Sequence, residues 1–177
     1  MHVQDPMMAP SPWVLRWAPL VREAGAVLDV ACGRGRHAHY FAARGHPVDA
    51  VDRDPSAIAG LNGLAGVSAL SADIEDGPWP FPGQRYAAVV VTNYLHRLLF
   101  PLLMAALAPG GLLIYETFAQ GNEAYGRPSN PDFLLRHGEL LQAVGNARVL
   151  AYEDLVVEHP RPAALQRICA VSQGALK

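Results

Sequence analysis

The sequence predicts an α/β domain with a doubly wound sheet: five parallel strands, then a C-terminal antiparallel hairpin, with helices on both faces. Short apolar runs rich in β-branched residues alternate with helix-like stretches, which is the order of βαβ units. The last two strand-like runs are joined only by "HPRPAA", which is too short for a crossover between parallel strands. Because 177 residues suit one core, we expect a single domain over residues 1–177.

The individual elements follow from composition and local signals. The segments with the short, β-branched character of buried strands are residues 27–31, 48–51, 67–70, 86–92, 112–117, 147–158 and 165–172. The segments with helical character are residues 12–24, 35–43, 55–61 and 98–107. Proline in the first turn, after Asp54, favours the start of the third helix, and "APGG" is a stop signal for the fourth.

Charge and composition exclude several classes of protein. The 14 basic and 16 acidic residues give a net charge of −2, which argues against a nucleic-acid-binding surface. No apolar run reaches the roughly 18 residues of a membrane span, and the N-terminus lacks the apolar stretch of a signal peptide. Cys32 and Cys169 lie in or beside apolar runs without a C-x-x-C or Cys/His cluster. We therefore expect a cytoplasmic monomer or homodimer with reduced cysteines and no metal site.

A glycine turn follows the first strand in "VLDVACGRGRHA", residues 27–38. Asp29 lies near the end of the apolar run, and Gly33 and Gly35 follow in a short polar turn. Glycine lets the backbone approach a ligand, and a strand-to-helix turn directs free N–H groups towards it. Ligands of open α/β sheets bind at this end of the strands. The pattern predicts a ligand there; the alternatives are a tight turn without a ligand and an Asp29 that only bonds turn amides.

The same turn also fits the dinucleotide pattern G-x-G-x-x-A. A pyrophosphate here would be repelled by Asp29, whereas a cationic amine would be attracted. The chain is also too short for a separate substrate domain. A cationic ligand is favoured, and a small NAD(P)-binding oxidoreductase is the alternative.

Residues 25–118 resemble the class I S-adenosylmethionine-dependent methyltransferases, which have a Rossmann-like sheet. "VLDVACGRGRHA" resembles their first motif, acid-x-Gly-x-Gly-x-Gly, with alanine in place of the first glycine. "VDAVDRDP" resembles the second strand, "SADIED" the adenine-contacting segment, "YAAVVVTNYLHR" the fourth strand and "LAPGGLLIYETF" the fifth. Farther along, "YETFAQGNEAYGRPSNPDFLL" and "GELL" resemble a bacterial subgroup of small methyltransferases similar to tellurite-resistance proteins.

The resemblance implies S-adenosyl-L-methionine as the cofactor. Asp29 would attract its ammonium, Asp52 would accept from both ribose hydroxyls, and Asp73 would accept from the adenine amine. The implied cofactor-binding residues are Asp29, Ala31, Gly33, Gly35, Asp52, Arg53, Asp73, Ile74 and Asn93. Asp49 and Asp54 are alternatives to Asp52, but alternation puts Asp49 nearer mid-strand, and Asp54 suits a helix cap.

The acceptor side is less sharply defined. The candidate catalytic residues are Tyr94 and His96 after the fourth strand and Glu116 in the fifth. The alternatives are a structural role for His96 and an ion pair for Glu116. Residues 119–132 form the expected substrate-side loop and residues 1–24 an N-terminal helix and lid.

We expect in-line transfer of a methyl group to a small molecule, since the chain lacks long insertions between strands. A partner protein that supplies the missing wall is a second possibility. A cofactor-binding regulatory subunit without activity is a third.

Overall fold

The computed structural model describes residues 9–173 and contains one seven-stranded sheet in the order β3-β2-β1-β4-β5-β7-β6. The strands are β1 Val27–Val30, β2 Val48–Asp52, β3 Val67–Ser71, β4 Tyr86–Thr92, β5 Leu107–Phe118, β6 Arg148–Val157 and β7 Ala163–Val171. Strands β1 to β5 are parallel, and β7 is antiparallel to both β5 and β6. The predicted fold class is confirmed, and the strand order reverses between β1 and β4.

The helices are short. They are α1 Pro12–Trp17, α2 Arg36–Ala42, α3 Pro55–Ile58, α4 Phe100–Ala105 and α5 Glu139–Ala143. The side chain of Ser11 caps α1, and that of Asp54 caps α3. The predicted helix over residues 12–24 ends early, because the α-helix gives way to a 3₁₀ turn over Ala18–Leu20, which contains Pro19. Helix α5 was not predicted.

The "APGG" segment is part of a strand, which corrects the predicted extent of the fourth helix. Helix α4 ends at Ala105, and β5 already begins at Leu107. The pairing with β4 shifts between Tyr86 and Ala88, so a bulge absorbs the extra residues of β5. Proline and glycine are tolerated at such an irregularity, which is why the stop signal does not open a loop.

The core lies on both faces of the central strands. In β4, Val89 and Val91 pack into the apolar cluster on one face, while Ala88 and Val90 pack into the cluster on the other. Burial on both faces explains the continuous apolar runs in the sequence. Within the described part of the chain, no helix is long and apolar enough to cross a bilayer.

The glycine turn offers a matched pair of stability tests. Both Gly33 and Gly35 have positive φ, +54° and +75°, which disfavours any other residue. An added Cβ at Gly35 would overlap the buried Leu61 side chain, whereas at Gly33 it would meet nothing within 4 Å. We expect Gly35→Ala to lower the free energy of unfolding by about 2 kcal/mol and Gly33→Ala by about 1 kcal/mol. Urea unfolding of both variants measures this, and equal losses would contradict the role of Leu61.

Candidate functional site

A cavity of about 360 Å³ opens at the carboxyl ends of the parallel strands. Its lining residues are Ala31, Asp52, Arg53, Asp73, Ile74, Glu75, Asn93, Tyr94, Leu95, Thr117, Phe118, Pro128 and Phe133. They come from the ends of β2 and β5, from the segments after β1, β3 and β4, and from the loop that follows β5. This is the edge of the sheet at which the sequence predicts a ligand.

Most of the predicted cofactor residues lie together here. The predicted residues in the cavity wall are Ala31, Asp52, Arg53, Asp73, Ile74, Asn93 and Tyr94. The predicted residues outside this wall are Asp29, Gly33, Gly35, His96 and Glu116. Two wall residues, Ala31 and Asn93, have positive φ of +51° and +56°, a strained conformation of the kind that accumulates at binding sites.

Asp52 joins the glycine turn to the end of β2. Its Oδ2 accepts a hydrogen bond from the Gly33 amide at 2.8 Å, and its Oδ1 accepts one from the Asp54 amide at 2.9 Å. Each carboxylate oxygen has a second acceptor site, so Asp52 can still receive ligand hydroxyls. The two alternative acids are occupied elsewhere, since Asp54 caps α3 and Asp49 accepts from the Tyr86 hydroxyl.

Asp73 stands exposed at the cavity wall after β3. Its Oδ1 accepts from the amides of Glu75 and Asp76, at 2.9 and 3.3 Å, and these bonds lower the pKa of the carboxyl. Its Oδ2 has no hydrogen-bond partner among residues 9–173. The next residue, Ile74, is 8% exposed and packs on the core below. An ionised acceptor thus lies next to an apolar surface.

Asp29 is buried instead of lining the cavity. It is 1% exposed, its Oδ2 accepts from the Ala38 amide at 3.0 Å, and burial raises its pKa to about 7. Asp29 therefore fastens α2 to β1 through an amide of the helix, whereas the alternative reading expected it to bond amides of the turn. Attraction of a ligand ammonium by Asp29 stays a prediction.

His37 lies beside Asp29 and holds the N-terminal segment. Its Nε2 accepts from the Ser11 amide at 3.1 Å, and its Nδ1 lies 3.9 Å from Asp29 Oδ1. Burial, with a smaller contribution from the charge of Arg36, lowers the pKa of His37 from its ordinary 6.5 to about 3. A neutral imidazole accepts the Ser11 bond, so this segment, the described part of the predicted lid, depends on an uncharged His37. Residues 1–8 of that lid lie outside the described residues.

This depressed pKa predicts a pH dependence of stability. The unfolded chain takes up a proton at His37 as the pH falls below 6.5, while the folded chain resists it down to about 3. The stabilising contribution is complete above pH 6.5 and declines as the pH falls. Between pH 6.5 and 5.5 we expect the wild type to lose about 1 kcal/mol more stability than His37→Gln. Urea unfolding at both pH values measures this, and parallel losses would show that His37 is freely protonated in the fold.

Tyr94 presents a buried hydroxyl that makes no hydrogen bond of good geometry among the described residues, and the Glu75 carboxylate lies near it. Burial raises the pKa of Tyr94 above its ordinary range, and the nearby charge of Glu75 raises it further. The phenol therefore stays protonated and is suited to donate to a ligand atom, not to act as a base. An orphaned donor in a cavity wall is a group that a ligand can satisfy.

The other two candidate catalytic residues are engaged outside the cavity wall. His96 Nδ1 lies 3.9 Å from Glu75 Oε2, beside the wall. Glu116 accepts from the Ser11 hydroxyl at 2.6 Å through Oε1 and from Arg167 Nη1 at 3.2 Å through Oε2. Glu116 thus forms an ion pair with Arg167, which is the alternative role that the sequence analysis gave it. Catalytic roles for His96 and Glu116 stay predictions.

Several wall residues were missed by sequence reasoning. They are Glu75, Leu95, Thr117, Phe118, Pro128 and Phe133. Pro128 belongs to the predicted substrate-side loop, 119–132, and Phe133 follows directly after it. Apart from the length of that loop, the sequence carries no signal that would separate these residues from ordinary loop and core residues.

The loop after β5 is fixed by one of its own side chains, Asn122, and by Arg97 from a distant segment. Asn122 is buried, donates to the Pro128 carbonyl at 2.9 Å and accepts from the Ala164 amide at 3.2 Å. Arg97 donates to the carbonyls of Asp132 and Leu134, each at 2.8 Å, and pairs with Glu139 at 2.6 Å. These contacts place Pro128 and Phe133 at the cavity.

Comparison with known proteins agrees with this geometry. Residues 27–111 match the family model described as a methyltransferase domain. TehB from Haemophilus influenzae aligns at 19% identity and a TM-score of 0.78, covering 92% of this chain and 62% of its own. This chain therefore spans less than two thirds of that protein. No curated protein sequence is significantly similar to the chain.

Two further solved structures share the fold. An S-adenosylmethionine-dependent methyltransferase from Mesorhizobium loti is 15% identical, with a TM-score of 0.71 and coverage of 90% of this chain and 96% of its own. Coclaurine N-methyltransferase, bound to N-methylheliamine and S-adenosylhomocysteine, is 12% identical, with a TM-score of 0.68 and coverage of 90% and 71%. The methyltransferase-domain match, on a sheet with this strand order, confirms the resemblance seen in the sequence. Residues 27–111 thus match a methyltransferase domain, and the chain has the fold of solved S-adenosylmethionine-dependent methyltransferases.

Proposed function

We propose that this protein transfers the methyl group of S-adenosylmethionine to a small-molecule acceptor. The observation that carries the proposal is the cavity wall itself. Two carboxylates, Asp52 and Asp73, stand at the ends of neighbouring strands, and the unpartnered Tyr94 hydroxyl lies in the same wall. A nucleoside with hydroxyl and amine donors meets acceptors at both positions.

The residues of the wall suit the parts of the cofactor. Asp52, with Arg53 beside it, would hold the ribose, and Asp73 and Ile74 would hold the adenine. The backbone of the turn over residues 31–35 would approach the amino-acid end, and Tyr94 and Asn93 would face the acceptor side. When bound, the cofactor supplies a methyl carbon attached to a positively charged sulfur.

The acceptor's lone pair would attack that carbon in line with the carbon–sulfur bond, whose electrons pass to sulfur and leave a neutral thioether. Positive charge is lost at sulfur, so alignment matters more than acid catalysis, and it can contribute about 7–11 kcal/mol. The wall residues Phe118, Pro128 and Phe133 would align the acceptor and exclude water. An acceptor that must lose a proton would use a base, the role predicted for His96 beside Glu75.

The remaining predictions belong to this proposal. The absence of long insertions supports a small acceptor, and the coclaurine enzyme, which carries N-methylheliamine, offers a precedent on the same fold. The net charge of −2 argues against a nucleic-acid acceptor. We also propose a cytoplasmic monomer or homodimer, which the two free, buried cysteines fit.

Calorimetry with S-adenosylhomocysteine, S-adenosylmethionine and NADH tests the cofactor. We expect both adenosyl compounds to bind and NADH not to bind. Binding of NADH alone would replace the proposal with the oxidoreductase alternative. A screen of small acceptors for S-adenosylhomocysteine release then tests transfer, and binding without any turnover would favour the regulatory-subunit alternative.

A further inference from the structure

A second concave region, which we call the arginine groove, adjoins the cofactor cavity. It has a volume of about 570 Å³ and shares Asn93, Phe118, Pro128 and Phe133 with the cavity wall. The remaining wall carries Arg127 from the loop after β5 and Arg161 from the turn between β6 and β7. A molecule bound in this groove would therefore contact four residues that also line the cofactor cavity.

The two arginines differ from the paired arginines of the fold. Arg16, Arg97 and Arg167 each form an ion pair with a glutamate. Over residues 9–173, no carboxylate lies within ion-pairing distance of Arg127 or Arg161. Guanidinium groups stay charged at any physiological pH and match carboxylate and phosphate oxygens in geometry. Two such groups that line one groove from separate loops favour an anion as its occupant.

The groove also contains an apolar surface. Phe133 is 53% exposed, and Phe118 beside it is partly exposed. Arg97 bonds the carbonyls of Asp132 and Leu134, which flank Phe133, so the ring is presented on a fixed backbone. A fixed, exposed aromatic ring in a concave wall suits the flat apolar part of a small ligand.

We propose that the arginine groove binds an acceptor that joins an apolar, ring-like body to an acidic group, either a carboxylate or a phosphate. Arg127 and Arg161 hold the acid, and Phe118 and Phe133 hold the body. The nucleophilic atom of the acceptor then reaches the methyl group at Asn93, where the groove meets the cofactor cavity. This inference rests on the proposed function and adds the chemical class of its acceptor.

Benzoate, phenyl phosphate and neutral benzamide are suitable probes of the groove. Their affinities are measured by NMR titration of the protein saturated with S-adenosylhomocysteine. We expect both anions to bind more tightly than benzamide, and the tighter of the two identifies the acid. Arg127→Gln and Arg161→Gln should each weaken binding of the anions by about fivefold, the upper range for an exposed charge pair, and leave benzamide unchanged. Arg85→Gln is the matched control, because Arg85 is exposed and, within the described part of the chain, its side chain bonds the Gln84 carbonyl alone.

Several results would overturn the inference. One is benzamide binding as well as the anions, and another is an equal loss of anion affinity in Arg85→Gln. In the turnover screen, acceptors are offered as pairs of acid and amide. Methylation of the acids, with KM raised and kcat unchanged in Arg127→Gln, would support binding of an acidic acceptor in the groove. Methylation of the amides alone would contradict it. S-adenosylhomocysteine binding is measured for every variant; if it persists while the probes fail, the groove is wrong and the proposed function stands.

Discussion

Asp52→Ala is expected to weaken binding of S-adenosylhomocysteine by about 10- to 100-fold. The variant would lose the charge-assisted hydrogen bonding of this carboxylate to the ligand, a total loss of about 1.5–3 kcal/mol. It would also release the Gly33 amide, which Asp52 Oδ2 holds at 2.8 Å, so the turn that approaches the cofactor would lose its anchor. Isothermal titration calorimetry of the folded variant measures the effect.

Asp76→Ala is the matched control for this experiment. Asp76 is exposed and belongs to the same end of the sheet, but it is not part of the cavity wall. We expect its affinity for S-adenosylhomocysteine to stay at the wild-type value. An unchanged affinity in Asp52→Ala would mean that another carboxylate, with Asp73 the first to examine, binds the ribose.

Arg167→Met is expected to lower the free energy of unfolding by about 3 kcal/mol. Arg167 pairs with Glu116 at 3.2 Å and with Glu153 at 2.6 Å, and its guanidinium lies 4.9 Å from the ring centre of Trp13. Without it, the Ser11 hydroxyl is the one partner that the largely buried Glu116 carboxylate keeps among residues 9–173. A buried charge without its partner is strongly destabilising, so the effect falls on the fold and not on the cavity.

Two further variants distinguish the contribution of the Arg167–Glu116 ion pair to stability from that of nearby surface charges. Arg16, whose side chain is mostly exposed, is the other partner of Glu153. Arg16→Met should therefore change the free energy of unfolding by less than about 1 kcal/mol. Adding Glu116→Gln to Arg167→Met should recover part of the loss, because the orphaned charge is removed. Urea unfolding compares all three. If Glu116→Gln alone lowered kcat without changing stability, the catalytic role predicted from the sequence would be restored.

The sheet could be predicted because its central strands are buried on both faces. Continuous apolar runs such as that of β4, over residues 86–92, are typical of strands covered by helices on either side. The ends of helices were predicted less well, since they depend on tertiary pairing. The proline and glycines after Leu107 are typical of a helix stop, but the bulge against Tyr86 draws them into β5.

The position of the cavity could be predicted, because the ends of parallel strands share an edge. Asp52 and Asp73, which the resemblance assigns to the cofactor, both line this cavity, and their roles stay predictions. Asp29 and Glu116 could not be placed this way. Their surroundings come from α2 and from β7, through Ala38 and Arg167, and local sequence does not reveal which side chains those elements bring near.

The acceptor side was predictable only as a region. The length of the loop after β5 indicated a binding role, but Phe133 reaches the wall because Arg97, far upstream in the chain, fixes its neighbours Asp132 and Leu134 on either side. Such long-range bonds leave no periodic trace in the chain.

The hydrogen bonds by which Arg97 fixes this loop affect substrate binding and product release. A surface already tied down by Arg97 and Asn122 need not reorganise before each encounter. This loop would then contribute to discrimination among candidate substrates through the fit to a fixed shape, without the selectivity that its induced closure would provide. Exchange of product for a new substrate past Phe118 and Phe133 would then not wait for this loop to move.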